Sequence, residues 1–318
     1  MFDHEQAVRV EGHARVCRTV GARTDRDMTE PVRVVPRQIW RDGGSRFGSR
    51  SIPEEIPVAL TYNGGSYAVM MTTPQDLEDF AVGFSISEGI ITSPADIESL
   101  DILPLDDGIE LRMWLSMPKA ERLQERRRHV AGPTGCGLCG IESIAEAMRP
   151  AAVIARGRQF SPEQIMVAMQ SLPSLQNLNT ETRAVHAAAF WNSSRGILAL
   201  REDVGRHNAL DKLSGALAGA SIVTSEGIIL LTSRISVEMV QKSAAIGAPV
   251  MVSVSAPTAL AVRTAHAAGI TLAAIARADG FEVFTHPWRI SLDAVAAEAL
   301  PAKASSMSAK SVEWQMVE

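Results

Sequence analysis

Cysteine is scarce in this 318-residue chain, which contains only Cys17, Cys136 and Cys139. A secreted scaffold held together by disulfides needs more cysteines than this, so that class is excluded. Every apolar run is shorter than the roughly 20 residues that a membrane helix requires, and the N-terminus has no apolar segment of signal-peptide length. These absences predict a cytoplasmic protein that crosses no membrane.

The chain also lacks an excess of positive charge. It has 31 Lys and Arg residues against 36 Asp and Glu residues, a formal net charge of −5 at pH 7. Domains that bind nucleic acids carry concentrated positive charge, so we expect no nucleic-acid partner. Hydrophobic residues make up 46% of the chain, which is typical of a globular protein with a substantial core.

The two ends of the chain differ in composition from its middle. Residues 1–50 contain ten arginines, no lysine and seven acidic residues, and they end in a stretch rich in Gly and Ser. This composition predicts a poorly ordered or loosely docked basic extension. We place an N-terminal α+β subdomain at residues 51–130, a main α/β domain at 131–290 and a C-terminal tail at 291–318.

Turn and cap signals predict the elements of the first half of the chain. Asn63-Gly64, between two apolar segments, predicts a β-hairpin. Thr73-Pro74 predicts the start of a helix, residues 109–115 alternate like a strand with one buried face, and Ser161–Gln164 is a capping box that begins another helix. The predicted apolar face of the first helix comprises Leu77, Phe80, Ala81 and Phe84.

Short apolar strands alternate with helices from residue 196 onward. This alternation predicts an α/β domain in which helices cover a largely parallel sheet. Ligands bind such sheets where the loops leave the carboxyl ends of the strands, so we expect functional residues there. The predicted strands are at residues 196–200, 227–232, 249–254, 270–275 and 281–284.

The first chemical motif is Cys136-Gly-Leu-Cys139, with glycines around it and a predicted helix at 141–148. A cysteine just before a helix faces the positive end of the helix dipole, which lowers the pKa of the thiol and favours the nucleophilic thiolate. A zinc site completed by His186 or His207, a thioredoxin-like redox pair and a buried structural pair are the alternatives. A nucleobase deaminase is disfavoured, because no H-x-E precedes the cysteine pair in the required arrangement.

Three further segments lie at predicted strand-to-helix transitions. Residues 201–212 contain Arg206 and His207, which are candidate phosphate ligands at a helix N-terminus. A solvated charged surface is the alternative for this segment. Residues 233–242 and 253–258 offer hydroxyl groups and, in the first, a cation. The alternative for both is ordinary helix capping by Ser236 and Ser255.

Together and in this order, these motifs resemble one family, the formate dehydrogenase accessory sulfurtransferases (FdhD). The resemblance extends from about residue 55 to residue 290. The matching segments are residues 57–63, 73–84, 87–90, 136–140, 202–212, 233–242 and 255–258.

The resemblance implies a cytidine-deaminase-like α/β/α core and a sulfurtransferase activity. A cysteine desulfurase would supply sulfur, Cys136 would carry it as a persulfide, and Cys139 would assist. The sulfur would pass to the bis(molybdopterin guanine dinucleotide) molybdenum cofactor, a bound substrate, before that cofactor enters formate dehydrogenase. No permanently bound cofactor and no protein-bound metal site are expected, and a homodimer would suit the relay. The alternative is a chaperone that binds the cofactor without moving sulfur.

The resemblance also assigns residues that contact the cofactor. The phosphates of the guanine dinucleotide would suit Arg206, His207 and Arg234 together with helix N-termini, and Ser255 and Thr258 fall in the same group. The chain departs from the family before His186, where Arg183 and Ala184 replace two usual glycines. The segment that the resemblance assigns to the cofactor is Ile275, Ala276, Arg277, Ala278, Asp279 and Gly280.

Overall fold

The computed structural model of the protein describes residues 15–16, 30–121, 123, 150–154 and 157–291. Cys136, Cys139 and the tail beyond residue 291 lie outside these ranges. The strands are β1 (Arg15–Val16), β2 (Val32–Arg41), β3 (Gly44–Pro53), β4 (Ile56–Tyr62), β5 (Gly65–Thr72), β6 (Ile97–Leu105), β7 (Gly108–Leu115), β8 (His186–Asn192), β9 (Gly196–Asp203), β10 (Gly227–Leu231), β11 (Val250–Ser253), β12 (Thr271–Arg277) and β13 (Gly280–Val283). The helices are α1 (Leu77–Ser87), α2 (Pro162–Ser171), α3 (Asn177–Thr182), α4 (Arg206–Gly219), α5 (Val237–Ile246) and α6 (Ala259–Ala267).

The first sheet has five strands in the order β1-β6-β7-β4-β5. The predicted hairpin is confirmed: β4 and β5 pair in antiparallel fashion around Asn63 and Gly64, which both have positive φ as a tight hairpin turn requires. The strand predicted at 109–115 is β7. Helix α1 covers one face of this sheet, and all four residues of its predicted apolar face are buried in the shared core.

The second sheet has six strands in the order β13-β12-β11-β10-β8-β9. Helices α4, α5 and α6 cover one face and α2 covers the other, so this part of the chain has the predicted α/β/α layering. The five predicted strands and the capping box at Ser161 are confirmed. The specific likeness to the cytidine deaminase fold stays a prediction.

The expectation of a largely parallel sheet is wrong, because the second sheet is mixed. Only β10, β11 and β12 run parallel to one another within the described sheet. Strand β8 lies antiparallel between β9 and β10, and β13 returns antiparallel to β12. Strand β8 escaped prediction because it contains three consecutive alanines, which have little strand propensity.

Helices α1 and α4 join the two sheets through direct backbone contact. A Cβ atom on Gly83 would overlap the carbonyl oxygen of Asp211, and one on Gly215 would overlap the carbonyl oxygen of Asp79. Each helix therefore needs a glycine where it crosses the other. This close approach determines how the N-terminal sheet is placed against the main domain.

The predicted basic extension contains more structure than its composition indicated. Residues 1–50 were expected to be poorly ordered or loosely docked, whereas β2 and β3 form a two-stranded hairpin of ten residues on each side. The β-branched residues of β2, Val32, Val34, Val35 and Ile39, favour this strand pairing. Within the described residues of the whole chain, no helix is long and apolar enough to cross a bilayer.

Candidate functional site

The ends of several strands meet at one edge of the six-stranded sheet, which we name the carboxyl edge. Strands β9, β10, β11 and β12 end there and β8 begins there, with His186 directly opposite Asp203. Helices α4, α5 and α6 begin directly after β9, β10 and β11. The predicted binding residues from separate segments are therefore brought to one edge, as the strand-to-helix pattern indicated.

Arg206 and His207 form the first turn of α4. The residue before them, Gly205, caps the helix without a side-chain hydrogen bond, so the first amides of α4 have no side-chain partner among the described residues. The Nε atom of Arg206 is buried and has no hydrogen-bond partner in the described structure. A buried guanidinium nitrogen beside unpaired helix amides favours an anion such as a phosphate.

His207 connects α4 to α5. Its Nε2 lies 2.8 Å from a carboxylate oxygen of Glu238 and 3.4 Å from the hydroxyl of Ser236. The hydrogen bond from His207 lowers the pKa of the Glu238 carboxyl group below its usual value. Because Nε2 already contacts Glu238 and Ser236, a phosphate could contact His207 only through Nδ1.

The two predicted capping serines do not cap through their side chains. Ser236 occupies the N-cap position of α5 without a side-chain hydrogen bond. Thr258, not Ser255, caps α6, and its hydroxyl accepts a hydrogen bond of 3.1 Å from the amide of Ala261. The prediction for Ser255 as a cap is wrong because α6 begins three residues later than that role requires. Arg234 is exposed at the same edge.

The segment assigned to the cofactor comprises the last three residues of β12, the turn at residues 278–279 and the first residue of β13. Its first residue, Ile275, has a positive φ of 53°, a strained conformation for a β-branched side chain, and lies at an irregularity in the strand pairing. The amide of Ile275 donates to the carbonyl oxygen of Ser255 at 3.4 Å. Ala276 is buried in the core, whereas residues 277–279 are exposed at the carboxyl edge.

His186 also lies at this edge, opposite Asp203. Burial and the positive charge of Arg206 lower the pKa of the His186 imidazole. Arg183 adopts the left-handed conformation with φ 58° and ends α3. The turn before His186 therefore contains a non-glycine residue in a conformation that such residues disfavour.

Asp203 and Lys212 are fully buried and hold the carboxyl edge against the first sheet. The Lys212 ammonium donates to a carboxylate oxygen of Asp203 at 2.7 Å and to the carbonyl oxygen of Thr73 at 2.9 Å. The same carboxylate accepts hydrogen bonds from the Thr72 hydroxyl, the Thr73 amide, the Gly205 amide and the Asn208 side chain. Burial lowers the pKa of the Lys212 ammonium. The hydrogen bonds of Asp203 and Lys212 therefore connect the carboxyl edge to the end of β5 and stabilise the backbone below the candidate site.

Two other charged residues of the same motif also have structural roles. The Glu202 carboxylate accepts hydrogen bonds from the amides of Leu178 and Asn179, both at 2.8 Å, and so caps the N-terminus of α3. Asp211 pairs with Lys242 of α5 at 2.8 Å and 2.9 Å. Sequence reasoning missed these roles. Local spacing offers no signal for these roles, because Asp211 and Lys212 lie off the helix face that Leu210 and Leu213 share, and only the structure shows that α4 is buried on the other sides as well.

The cysteine pair lies outside the described residues, so its role stays a prediction. In the described part of the chain, no group of three or more His, Cys, Asp or Glu side chains is arranged to hold a metal ion.

Comparison with known proteins places the chain in a family. Residues 53–291 match the model of the FdhD/NarQ family. The chain belongs to the FdhD/NarQ family. Sulfur carrier protein FdhD of Agrobacterium fabrum is 50% identical over 261 residues, covering 82% of this chain and 96% of the relative. Sulfur carrier protein FdhD of Cupriavidus necator is 49% identical, covering 80% of this chain and 88% of the relative.

A solved crystal structure agrees with this assignment to the FdhD/NarQ family. A formate dehydrogenase accessory protein from Desulfotalea psychrophila has a TM-score of 0.63 and 25% sequence identity to this chain. The match covers 82% of this chain and all of that one. The mixed α/β architecture described above is therefore shared with a crystal structure.

Proposed function

We propose that this chain is a sulfur carrier for formate dehydrogenase. In this proposal a cysteine desulfurase supplies sulfur, Cys136 carries it, and the molybdenum of bis(molybdopterin guanine dinucleotide) receives it. The FdhD/NarQ relatives named above are sulfur carrier proteins, which supports the carrier role. The carboxyl edge supports the binding of a dinucleotide cofactor as substrate.

One observation carries the cofactor part of the proposal: the first turn of α4. Arg206 presents a buried Nε atom without a partner, beside helix amides that no side chain caps. A pyrophosphate supplies oxygen acceptors and negative charge for both groups. The strained backbone at Ile275 lies at the same edge, and strain of this kind clusters at ligand sites.

The sulfur-transfer chemistry requires a nucleophilic thiolate on the chain. The Cys136 thiolate would attack the terminal sulfur of the desulfurase persulfide, forming a new S–S bond as the donor S–S bond breaks and the donor thiolate leaves. The Cys139 thiolate would then assist release by attacking the Cys136 sulfur, so that the bond to the terminal sulfur breaks as a Cys136–Cys139 disulfide forms. The terminal sulfur would leave as sulfide for the bound cofactor, and an external thiol would reduce the disulfide again.

Intact-mass spectrometry tests the carrier step. The full chain is incubated with a cysteine desulfurase and free cysteine, alongside Cys136→Ser and Cys139→Ser. We expect a mass gain of about one sulfur atom that reductant reverses and that Cys136→Ser alone lacks. If sulfur is lost in Cys139→Ser instead, Cys139 is the carrier. If no variant gains sulfur while Cys136→Ser still activates formate dehydrogenase, the chain is a cofactor-binding chaperone.

Guanosine diphosphate binding tests the cofactor step separately. Isothermal titration with the wild-type chain should show binding, and Arg206→Gln should raise the Kd about tenfold or more because a charge-assisted contact is lost. Arg195→Gln, at the exposed turn between β8 and β9, is the matched control and should bind like wild type. Equal binding by both variants would remove Arg206 from the site.

A further inference from the structure

The hairpin formed by β2 and β3, which we name the ribbon, has two chemically distinct faces. In an antiparallel pair, residues directly opposite each other share a face. The register pairs Val35 with Arg50, Arg37 with Gly48 and Ile39 with Arg46. The arginine face of the ribbon comprises Arg33, Arg37, Arg41, Arg46 and Arg50.

The opposite face of the ribbon carries solvent-exposed apolar side chains among serines and Gln38. Trp40 and Phe47 are 73% and 86% exposed, and Val34 is 69% exposed. In the register, Gln38 is opposite Phe47 and Ser45 is opposite Trp40, so both aromatic side chains project from one surface. Exposed aromatic side chains on one surface are typical of protein-binding sites, where Trp and Arg residues dominate the binding energy.

The ribbon also has unpaired edges. In the described sheets, neither β2 nor β3 pairs with a strand other than its partner in the hairpin. An isolated two-stranded hairpin in water is only marginally stable, because it buries too little apolar surface. A protein partner that covers the Trp40 and Phe47 surface would supply the burial that the ribbon lacks.

The base of the ribbon lies close to the carboxyl edge. The Arg50 guanidinium donates to the carbonyl oxygen of Thr182 at 3.1 Å, at the end of α3 and four residues before His186. Arg33 pairs with Glu54 at 2.7 Å at the other strand of the base. A protein seated on the ribbon would therefore lie beside the proposed cofactor site.

We propose that the ribbon docks formate dehydrogenase, through an acidic surface that surrounds an apolar patch on that enzyme. This inference rests on the proposed function, because the enzyme that receives the cofactor must approach the edge that holds it. The ribbon carries five arginines against one acidic residue, Asp42, so it attracts an acidic surface over a long range.

The arrangement of the two faces argues against a nucleic acid as the occupant. Grooves that bind single strands place basic and aromatic side chains together, so that bases stack while the backbone is neutralised. On the ribbon these side chains lie on opposite faces. In the protein complex, Trp40 and Phe47 would form the contact, and the arginines would accelerate association.

Binding kinetics test this division of roles. Cofactor-free formate dehydrogenase from the same organism is immobilised, and full-length chains flow over it at several salt concentrations. Trp40→Ser/Phe47→Ser should raise the Kd about tenfold or more, mainly through faster dissociation. Arg41→Glu/Arg46→Glu should slow association about fivefold or more and flatten its salt dependence.

Two control variants show whether a change in binding is specific to the ribbon or follows from any change of an exposed side chain. Trp114→Ser changes an exposed tryptophan on the first sheet, and Arg195→Glu changes an exposed arginine at a turn. Both should bind formate dehydrogenase like wild type. All four variants should keep sulfur loading and guanosine diphosphate binding, so a loss of either property would indicate damage to the fold or failure of the proposed function.

The docking proposal is overturned if the ribbon variants bind formate dehydrogenase like the controls. It is also overturned if the ribbon variants lose affinity for the cysteine desulfurase and not for formate dehydrogenase. A loss confined to self-association, measured by sedimentation, would assign the ribbon to a second copy of this chain.

Discussion

The buried pair of Asp203 and Lys212 predicts an asymmetric response to substitution. Asp203→Asn would remove the negative charge beside the buried Lys212 ammonium, and it would replace one oxygen of a side chain that accepts five hydrogen bonds with an NH2 group that can only donate. Lys212→Met would leave the Asp203 carboxylate with four other hydrogen-bond donors, two of them backbone amides. The aspartate variant should therefore be the more damaging of the two.

The structure sets the expected magnitudes. Removing one partner of a buried ion pair costs about 3–5 kcal/mol, and we expect Asp203→Asn to lie at the upper end of that range. Lys212→Met should cost about 2–3 kcal/mol, because hydrogen bonds to the remaining carboxylate offset part of its desolvation. The double variant should cost less than the sum of the two, since neither charge is then left unpaired.

Thermal unfolding followed by circular dichroism measures these differences. Asp203→Asn should lower the Tm by about 10 °C. Arg112→Met, which removes a partly exposed ion pair with Glu110, is the control and should change the Tm little. Equal costs for both single variants, adding fully in the double variant, would refute the reasoning that the two charges depend on each other.

Three further predictions address the helix contact, the turn before His186 and the His207 pair. Gly83→Ala should destabilise the protein by about 2 kcal/mol or more in chemical denaturation, because its Cβ would overlap the α4 backbone, whereas Gly219→Ala, with open space around it, should not destabilise it. Arg183→Gly should raise stability by about 0.5–1 kcal/mol by relieving the left-handed backbone, and a loss of stability would show that the arginine side chain matters more. Since the pKa of Glu238 is lowered from 4.5, its contribution to stability is present above pH 4.5 and is lost as the pH falls through the lowered folded value. The stability difference between wild type and Glu238→Gln should therefore shrink in acid, and a difference that stays constant with pH would contradict the pairing with His207.

Local patterns were sufficient to predict most elements of the fold. The Asn63-Gly64 hairpin, the Ser161 capping box and the five strands after residue 196 depend on short-range chemistry: positive φ, capping hydrogen bonds and apolar periodicity. Each of these is decided by neighbours within a few residues, so the sequence alone predicts it. The ordered motifs also led to the FdhD/NarQ family, which the family model confirms.

The place of the candidate site was predictable as well, though the roles of its residues were not. Strand-to-helix transitions predicted that Arg206, His207, Arg234 and Ser255 would lie at one edge of a sheet, and the structure brings them there. The sequence did not reveal that Nε2 of His207 pairs with the carboxylate of Glu238, a residue 31 positions away. Such a contact depends on how two helices are packed, which local patterns do not encode.

Only the tertiary structure decided which charged residues support the fold and which remain for a ligand. Four charged residues within 202–212 have structural partners: Glu202 caps a helix, and Asp203, Lys212 and Asp211 form buried ion pairs. Arg206, in contrast, has a buried nitrogen without a hydrogen-bond partner in the described structure. Their partners come from distant segments, because the glycine contact between α1 and α4 brings the two sheets together. The sequence by itself determined the elements, the family and the edge where the site lies. Long-range packing determined which charged residues stabilise the fold and which are available to a ligand, since the free energy of a charged side chain depends on its burial and its partners.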